Sequence, residues 1–269
     1  MKNTKIVFVD LDGTLKDSYQ KISVRNKIII EKLSDIGVQV VFTTGRPLNY
    51  TISLSKQFSA SNYVIASNGA EIYNYLNKKV IYNSIISNEI LIKLSELIKK
   101  YNLFFIANCL LKSYTNKDFG DPGKKIINSL DDILNEKISQ LIVESFDIES
   151  MKKFKKEIST ISGVKISNKS RNPKDNNKIL FYDITNVDVS KGNAVKFLCD
   201  YLKIDINKTM AIGDSDNDIE MLQVSNIKVA MNNATDNLKK IAKFVTLSND
   251  QEGVAIVLER LYDELVRQE

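Results

Sequence analysis

At 269 residues, 43% of them apolar and 26% charged, the chain has the makeup of a water-soluble protein large enough for two domains, and its net charge is a modest +5. No run approaches the roughly 18 uninterrupted apolar residues of a membrane span. Histidine is absent, which excludes His-ligated metals, serine-protease-type triads and imidazole acid/base chemistry, so catalysis would rest on carboxylates, Lys, Tyr or a bound metal.

The two cysteines, Cys109 and Cys199, stand far apart in apolar surroundings and read as buried free thiols. The basic start, residues 1–5, leads into a short apolar run that meets Asp10. That pattern predicts no secretory signal and a cytoplasmic protein. Charge is uneven: over residues 165–178, Lys165, Lys169, Arg171, Lys174 and Lys178 face only Asp175. Such a cluster either attracts an anionic substrate or nucleic acid, or is a solvated loop and helix face. No aromatic interleaving or nucleic-acid motif supports the nucleic-acid alternative, so neither a nucleic-acid nor a membrane partner is expected.

In chain order, Ile6–Val9 reads as a fully buried strand running into Asp10-Leu11-Asp12-Gly13-Thr14. In extended chain the two carboxylates would face opposite ways, and Gly13 permits a sharper turn that brings both toward one centre. The pair is either a solvated turn ending a strand, or a nucleophile and metal ligand beside an acid/base group. Ser23 predicts the cap of a helix with an apolar face of Val24, Ile28, Ile29, Leu33 and Ile36, stopped at Gly37. Residues 38–42 form a second apolar strand, followed by Thr43-Thr44-Gly45-Arg46-Pro47. Strand, helix, strand is the parallel crossover unit. Pro47 suits the first turn of the next helix, leaving the Thr44 hydroxyl and Gly45 amide near a helix N-terminus where phosphate binds. A strand at Tyr63–Ala66, then Ser67-Asn68-Gly69, then a hairpin over residues 71–82 turning near Asn77 and Lys78, follow.

From Asn83 the texture changes. One amphipathic helix over residues 87–101, strands at 103–107, 138–144, 163–167 and 179–184, and a Lys-rich helix at 149–161 predict an inserted α+β domain. The core resumes at Ser190-Lys191-Gly192 with a helix to Leu202, and a strand over 209–212 delivers Gly213-Asp214-Ser215-Asp216-Asn217-Asp218. Strands at 227–231 and 244–246 and a helix over 252–266 close the chain. The expected fold is therefore α/β, a doubly wound, Rossmann-like parallel-sheet core of residues 1–82 and 187–269 with an α+β cap of residues 83–186 inserted.

Two acidic strand ends, a Thr-Gly strand end and a Lys-Gly helix start would converge on one edge of such a sheet. Hard Mg²⁺ takes oxygen ligands, which Asp10, Asp214 and a backbone carbonyl would supply. Asp218, expected one helical turn beyond Asp214 and on its face, would bind the metal through water or orient a ligand. These carboxylates would repel a phosphate dianion unless Mg²⁺ and Lys191 offset their charge, with Thr44 and helix amides solvating the remainder. Asp216 is expected at the surface.

Five segments, Asp10-Leu-Asp12-Gly-Thr, Thr43-Thr44-Gly45-Arg46, Ser67-Asn68-Gly69-Ala70, Ser190-Lys191-Gly192 and Gly213-Asp214-Ser215-Asp216-Asn217-Asp218, occur in that order. In them the sequence resembles the haloacid dehalogenase (HAD) superfamily of phosphatases, specifically the Cof-type branch, whose larger type IIB α/β cap is inserted between the second and third motifs. The tail from Asn233-Ala234 to Glu252-Gly253-Val254-Ala255 resembles it too, and the likeness covers roughly residues 5–82 and 187–258. The resemblance implies a Mg²⁺-dependent phosphomonoesterase acting on a small soluble phosphorylated metabolite. Asp10 would attack phosphorus to form an aspartyl-phosphate, and Asp12 would protonate the leaving oxygen and then activate water. Thr44, Gly45 and Lys191 would hold the phosphoryl group, and Arg46 would contact substrate or the inserted domain, or form a surface ion pair. Asp10, Asp214 and the Asp12 carbonyl would hold Mg²⁺, with Asn217 and Asp218 in support. One position departs from the pattern: Lys16 stands where an apolar residue is expected, a change expected to affect packing more than chemistry. A sugar phosphomutase on the same scaffold and a phosphate-ligand sensor that no longer turns over are the rival readings. Sugar phosphate, pyridoxal phosphate, nucleotide and flavin phosphate all stand open as substrates.

Overall fold

The structure, a computed structural model, describes residues 1, 3–118, 120–171 and 179–267. Its backbone divides into two compact units, Met1–Tyr82 with Ser190–Glu269, and Asn83–Val189. The chain enters the first through β1 (Ile6–Val9), α1 (Val24–Asp35), β2 (Gln39–Phe42), α2 (Leu48–Gln57), β3 (Tyr63–Ala66), β4 (Glu71–Asn74) and β5 (Lys79–Asn83). It builds the second from α3 (Asn88–Lys100), β6 (Phe104–Cys109), β7 (Lys112–Thr115), β8 (Lys125–Ile126), β9 (Gln140–Ser145), α4 (Ile148–Ile158), β10 (Val164–Arg171) and β11 (Ile179–Asn186). It returns through α5 (Lys191–Leu202), β12 (Thr209–Gly213), α6 (Ile219–Val224), β13 (Ile227–Ala230), α7 (Asp236–Ile241), β14 (Phe244–Val245) and α8 (Gly253–Val266).

In the first unit the strand order is β14-β13-β12-β1-β2, every pair parallel. A parallel bridge from Thr43 to Ile65 carries β3 alongside, and β3-β4-β5 form their own sheet. β1 lies centrally and is fully buried, which is why its sequence is an unbroken apolar run. The register pairs Val9 with both Ile212 and Phe42, so Asp10, Gly213 and Thr43 emerge level with one another at the carboxyl edge. Helix α1 is capped by Ser23, whose side chain accepts from the Asn26 amide. Its buried face keeps Ile29 and Leu33 from the expected stripe but adds Asn26 and Ile30, whereas Val24, Ile28 and Ile36 are exposed. Three consecutive isoleucines allow two apolar stripes about 100° apart, and packing on the sheet and on α8 selects one. Pro47 stands at the start of α2, as expected. Its extended ψ of 156° makes it the cap residue immediately before Leu48.

The second unit has a six-stranded sheet, order β10-β11-β9-β6-β7-β8, antiparallel except for the β7–β8 pair. Leu91, Leu94 and Ile98 of α3 and Met151, Phe154 and Ile158 of α4 share a core with Phe105, Leu141 and Val143. Strands β7 and β8 carry too little apolar signal to be read from sequence; β7 is Lys-Ser-Tyr-Thr, held by hairpin pairing with β6. Of the basic cluster over residues 165–178, Lys165 lies in β10. Lys174, Asp175 and Lys178 lie outside the described residues, as do the side chains of Lys169 and Arg171. Cys109 and Cys199 are buried free thiols. Among the described residues no helix is long and apolar enough to cross a membrane.

Candidate active site

Asp10 ends β1 and is buried, with side-chain exposure of 8%. Lys191, the first residue of α5, is fully enclosed and donates from Nζ to Asp10 Oδ1 at 2.5 Å and to Asp218 Oδ1 at 2.6 Å. The ammonium is held at that spot because Ser190 caps α5, accepting from the Asn193 amide, and because the Ser67–Gly69 turn packs on the Ser190 carbonyl. Gly69 has φ +101°, and a Cβ there would lie 2.3 Å from the Ser190 oxygen, so the close approach requires glycine. Ser67 and Asn68 precede it with φ of 51° and 58°, strained values at the edge of the site.

Asp214 follows β12. Thr14 Oγ1 donates to its Oδ1 at 2.7 Å and Ser215 Oγ to its Oδ2 at 2.9 Å. Gly13, at φ +84°, lets the chain turn under this carboxylate: a Cβ there would fall 2.5 Å from Asp214 Oδ2. Asp218 does not lie a helical turn beyond Asp214 on a shared face, as the spacing suggested. Asp214 precedes the short 3₁₀ turn Asp216–Asp218, which folds Asp218 back so that its Oδ2 accepts from the Asp214 and Ser215 amides at 3.0 and 3.1 Å. The reciprocal cap formed with Ser215 explains this geometry, since it answers amides that no helix would satisfy. Asp216 is exposed and accepts from Thr235 Oγ1.

One oxygen each of Asp10, Asp214 and Asp218 lies within 4.8 Å of the others. Three buried or half-buried carboxylates against one ammonium leave an excess of negative charge. Burial pushes the Asp10 carboxyl up to about 8, Asp218 and Asp214 adding to the effect while Lys191 opposes it. Asp214 is raised likewise, by burial and then by Asp218. For Lys191 burial pulls downward, but Asp10 and Asp218 outweigh it and the ammonium stays charged. A cluster in which burial, and then the neighbouring carboxylates, hold Asp10 and Asp214 back from ionising, and whose donors are all oxygen, fits a hard divalent cation.

Asp12, two residues on, is oriented separately. Arg46 grips it bidentately, Nε to Oδ2 and Nη2 to Oδ1, each at 2.7 Å. Arg46 also reaches Gln20 Oε1, and the hydrogen bond to Asp12 holds its guanidinium charged. Thr44 is buried, and its hydroxyl accepts from the Arg46 amide at 3.1 Å. Asn217 donates to Asn68 Oδ1 at 2.9 Å, and Gly45 lies against that same Asn68 amide, where a Cβ would approach Oδ1 to 2.9 Å. The sequence-predicted site residues therefore lie just beyond strands β1, β2 and β12 or on the turns that follow them, except Lys191, which reaches Asp10 and Asp218 from the start of α5. Sequence reasoning missed Thr14, Asn68, Gln20 and Tyr50 as contacts, none of which carries a periodic or charge signal. Lys16, expected to affect packing more than chemistry, is buried, with its Nζ 3.9 Å from Asp12 Oδ1.

The profile of the haloacid dehalogenase-like hydrolases matches residues 7–258. The 5-amino-6-(5-phospho-D-ribitylamino)uracil phosphatase YcsE of Bacillus subtilis is 28% identical, the alignment covering 93% of each chain. The phosphatase YwpJ of the same organism is 26% identical over 96% of this chain and 99% of its own. A haloacid dehalogenase-like hydrolase from Bacteroides thetaiotaomicron superposes with a TM-score of 0.84 at 25% identity, covering 96% of this chain and 99% of that one.

Proposed function

The chain belongs to the haloacid dehalogenase-like hydrolases, and on that premise we propose that it is a Mg²⁺-dependent phosphomonoesterase acting on a small phosphorylated metabolite such as a sugar phosphate. The observation that carries this reading is the pairing of a buried strand-end carboxylate, Asp10, with Lys191 at 2.5 Å and two further carboxylates within 4.8 Å. Asp10, Asp214 and the Asp12 carbonyl would hold the cation, with Asp218 bracing Lys191 and the Asp214 amide. When bound, the cation supplies the positive charge that lets Asp10 ionise and a phosphate dianion approach.

Asp10 attacks phosphorus, the bond to the ester oxygen breaks, and that oxygen leaves with a proton from Asp12. Asp12 then takes a proton from water as the water attacks the aspartyl-phosphate, freeing Asp10 and phosphate. Lys191, the Thr44 hydroxyl and the amide of Gly45 stabilise the phosphoryl oxygens, and Arg46, Asn217 and Asn68 shape the mouth around them. The inserted unit of residues 83–189 is the cap that selects the substrate. Two buried free thiols support a cytoplasmic location.

The test is phosphate release from an aryl phosphate and a panel of metabolite phosphates, with Mg²⁺ or EDTA, using wild type and Asp10→Ala. Mg²⁺-dependent release that disappears in the variant is expected. Isomerised sugar without free phosphate would replace the hydrolase with a mutase, and a folded wild type that turned over nothing would overturn both.

A further inference from the structure

Lys16 is 3% exposed, and a buried ammonium is costly unless its charge is met. Its Nζ donates to the Tyr50 hydroxyl, lies 4.6 Å from the centre of the Tyr50 ring, and stands 3.9 Å from Asp12 Oδ1. The last distance is too long for a hydrogen bond but within ion-pair range. The base of the side chain is fixed as well. The Lys16 amide donates to the Leu11 carbonyl at 2.9 Å, its own carbonyl accepts from Asn249 Nδ2 at 2.9 Å, and a short bridge pairs it with Asp12.

Asp12 is thus held by two cations of different character. The Asp12 side chain is 34% exposed and that of Arg46 45%, so that grip is shared with solvent, whereas the Lys16 side chain is 4% exposed and its place beside Asp12 is fixed by the packing around it. Tyr50 links the two, with the Arg46 guanidinium 5.5 Å from the same ring centre. We propose that Lys16, seated on Tyr50, is a positioning residue that fixes the Asp12 carboxyl for proton delivery to the leaving oxygen. This rests on the phosphatase reading given above. Lys16 makes no bond to phosphorus; it acts only through Asp12, which donates the proton as the ester P–O bond breaks.

The experiment compares kcat/KM, which reports the steps through leaving-group departure, for an alkyl phosphate and for the phosphate ester of an acidic phenol. The alkoxide needs the Asp12 proton and the phenolate does not. Lys16→Met should lower kcat/KM for the alkyl ester by about 10- to 100-fold and for the aryl ester by less than about 3-fold, within the range of lost general-acid catalysis. Lys16→Arg should recover part of the loss. In an Asp12→Ala background, Lys16→Met should change the alkyl-ester value by less than about 3-fold, the non-additivity expected of groups acting as one unit. Should Lys16→Met fail to fold, Tyr50→Phe removes the hydroxyl that Lys16 binds from a partly exposed residue and should show the same selectivity at smaller amplitude. Equal losses on the two esters, or a full Lys16→Met effect without Asp12, would overturn the inference alone. A wild type inactive on both esters would overturn the phosphatase reading and this inference with it.

Discussion

Replacing Lys191 by Met keeps the length of a fully buried side chain and removes its charge. The ammonium makes two contacts, at 2.5 Å to Asp10 and 2.6 Å to Asp218, neither shared with solvent. Deleting one partner of a buried charge pair costs about 3–5 kcal/mol, because the partners left behind stay desolvated. For the unit that contains it, Met1–Tyr82 with Ser190–Glu269, each kcal/mol moves the melting temperature by about 2–4 °C, so a fall on the order of 6–20 °C is expected. Calorimetric melts of wild type and variant at neutral pH, with and without Mg²⁺, read this directly. Mg²⁺ should raise the melting temperature more in Lys191→Met than in wild type, since the cation replaces a charge the variant lacks. A variant within about 1 kcal/mol of wild type, with no differential Mg²⁺ effect, would refute the claim that Lys191 offsets part of this cluster's negative charge.

The Asp10 carboxyl, raised from 3.8 to about 8, holds in the native state a proton that the unfolded chain has lost, so its contribution to stability falls as pH rises from about 4 through 8. Mg²⁺ uptake at pH 7 should accordingly release close to one proton per site and tighten toward pH 8; calorimetry in two buffers of different ionisation heat would measure it, and binding without proton release would contradict the reading. Gly69→Ala places a methyl 2.3 Å from the Ser190 carbonyl at a φ of +101°, which should cost on the order of 3 kcal/mol in a denaturant titration and displace Lys191 enough to abolish turnover. Asp12→Ala should bind a phosphate analogue nearly as wild type does while turning over an alkyl phosphate at least about 100-fold more slowly, and an unchanged rate would remove Asp12 from the mechanism.

Much of the core was legible because parallel strands buried on both faces read as unbroken apolar runs. β1 announces itself in this way, as do β2 and β12 after a polar first residue, and the short apolar run of β3 was legible although it pairs antiparallel with β4; each is followed by its polar, chemistry-bearing turn. The inserted unit was less legible. Its antiparallel strands need only one apolar face, and β7 is held by hairpin pairing with β6 rather than by composition. The α1 stripe was right at Ile29 and Leu33 and wrong at Val24, Ile28 and Ile36 for a related reason, since Ile28, Ile29 and Ile30 satisfy more than one face and only the neighbouring elements choose between them.

By itself the sequence determined the α/β alternation, the carboxylate turns after two strands and the Ser-Lys-Gly start of α5, because hydrophobic runs, caps and glycines act over a few residues. Only the tertiary structure decided which groups meet. Parallel register sets Asp10 level with Gly213, the 3₁₀ turn returns Asp218 to the Asp214 amide, and residues 34 apart bring Arg46 and Tyr50 to Asp12 and Lys16. A charge's consequence depends on its partners and its burial, and both are properties of the folded chain. That is why Lys16, a mere substitution for an apolar residue in the sequence, becomes in the fold a buried cation 3.9 Å from Asp12.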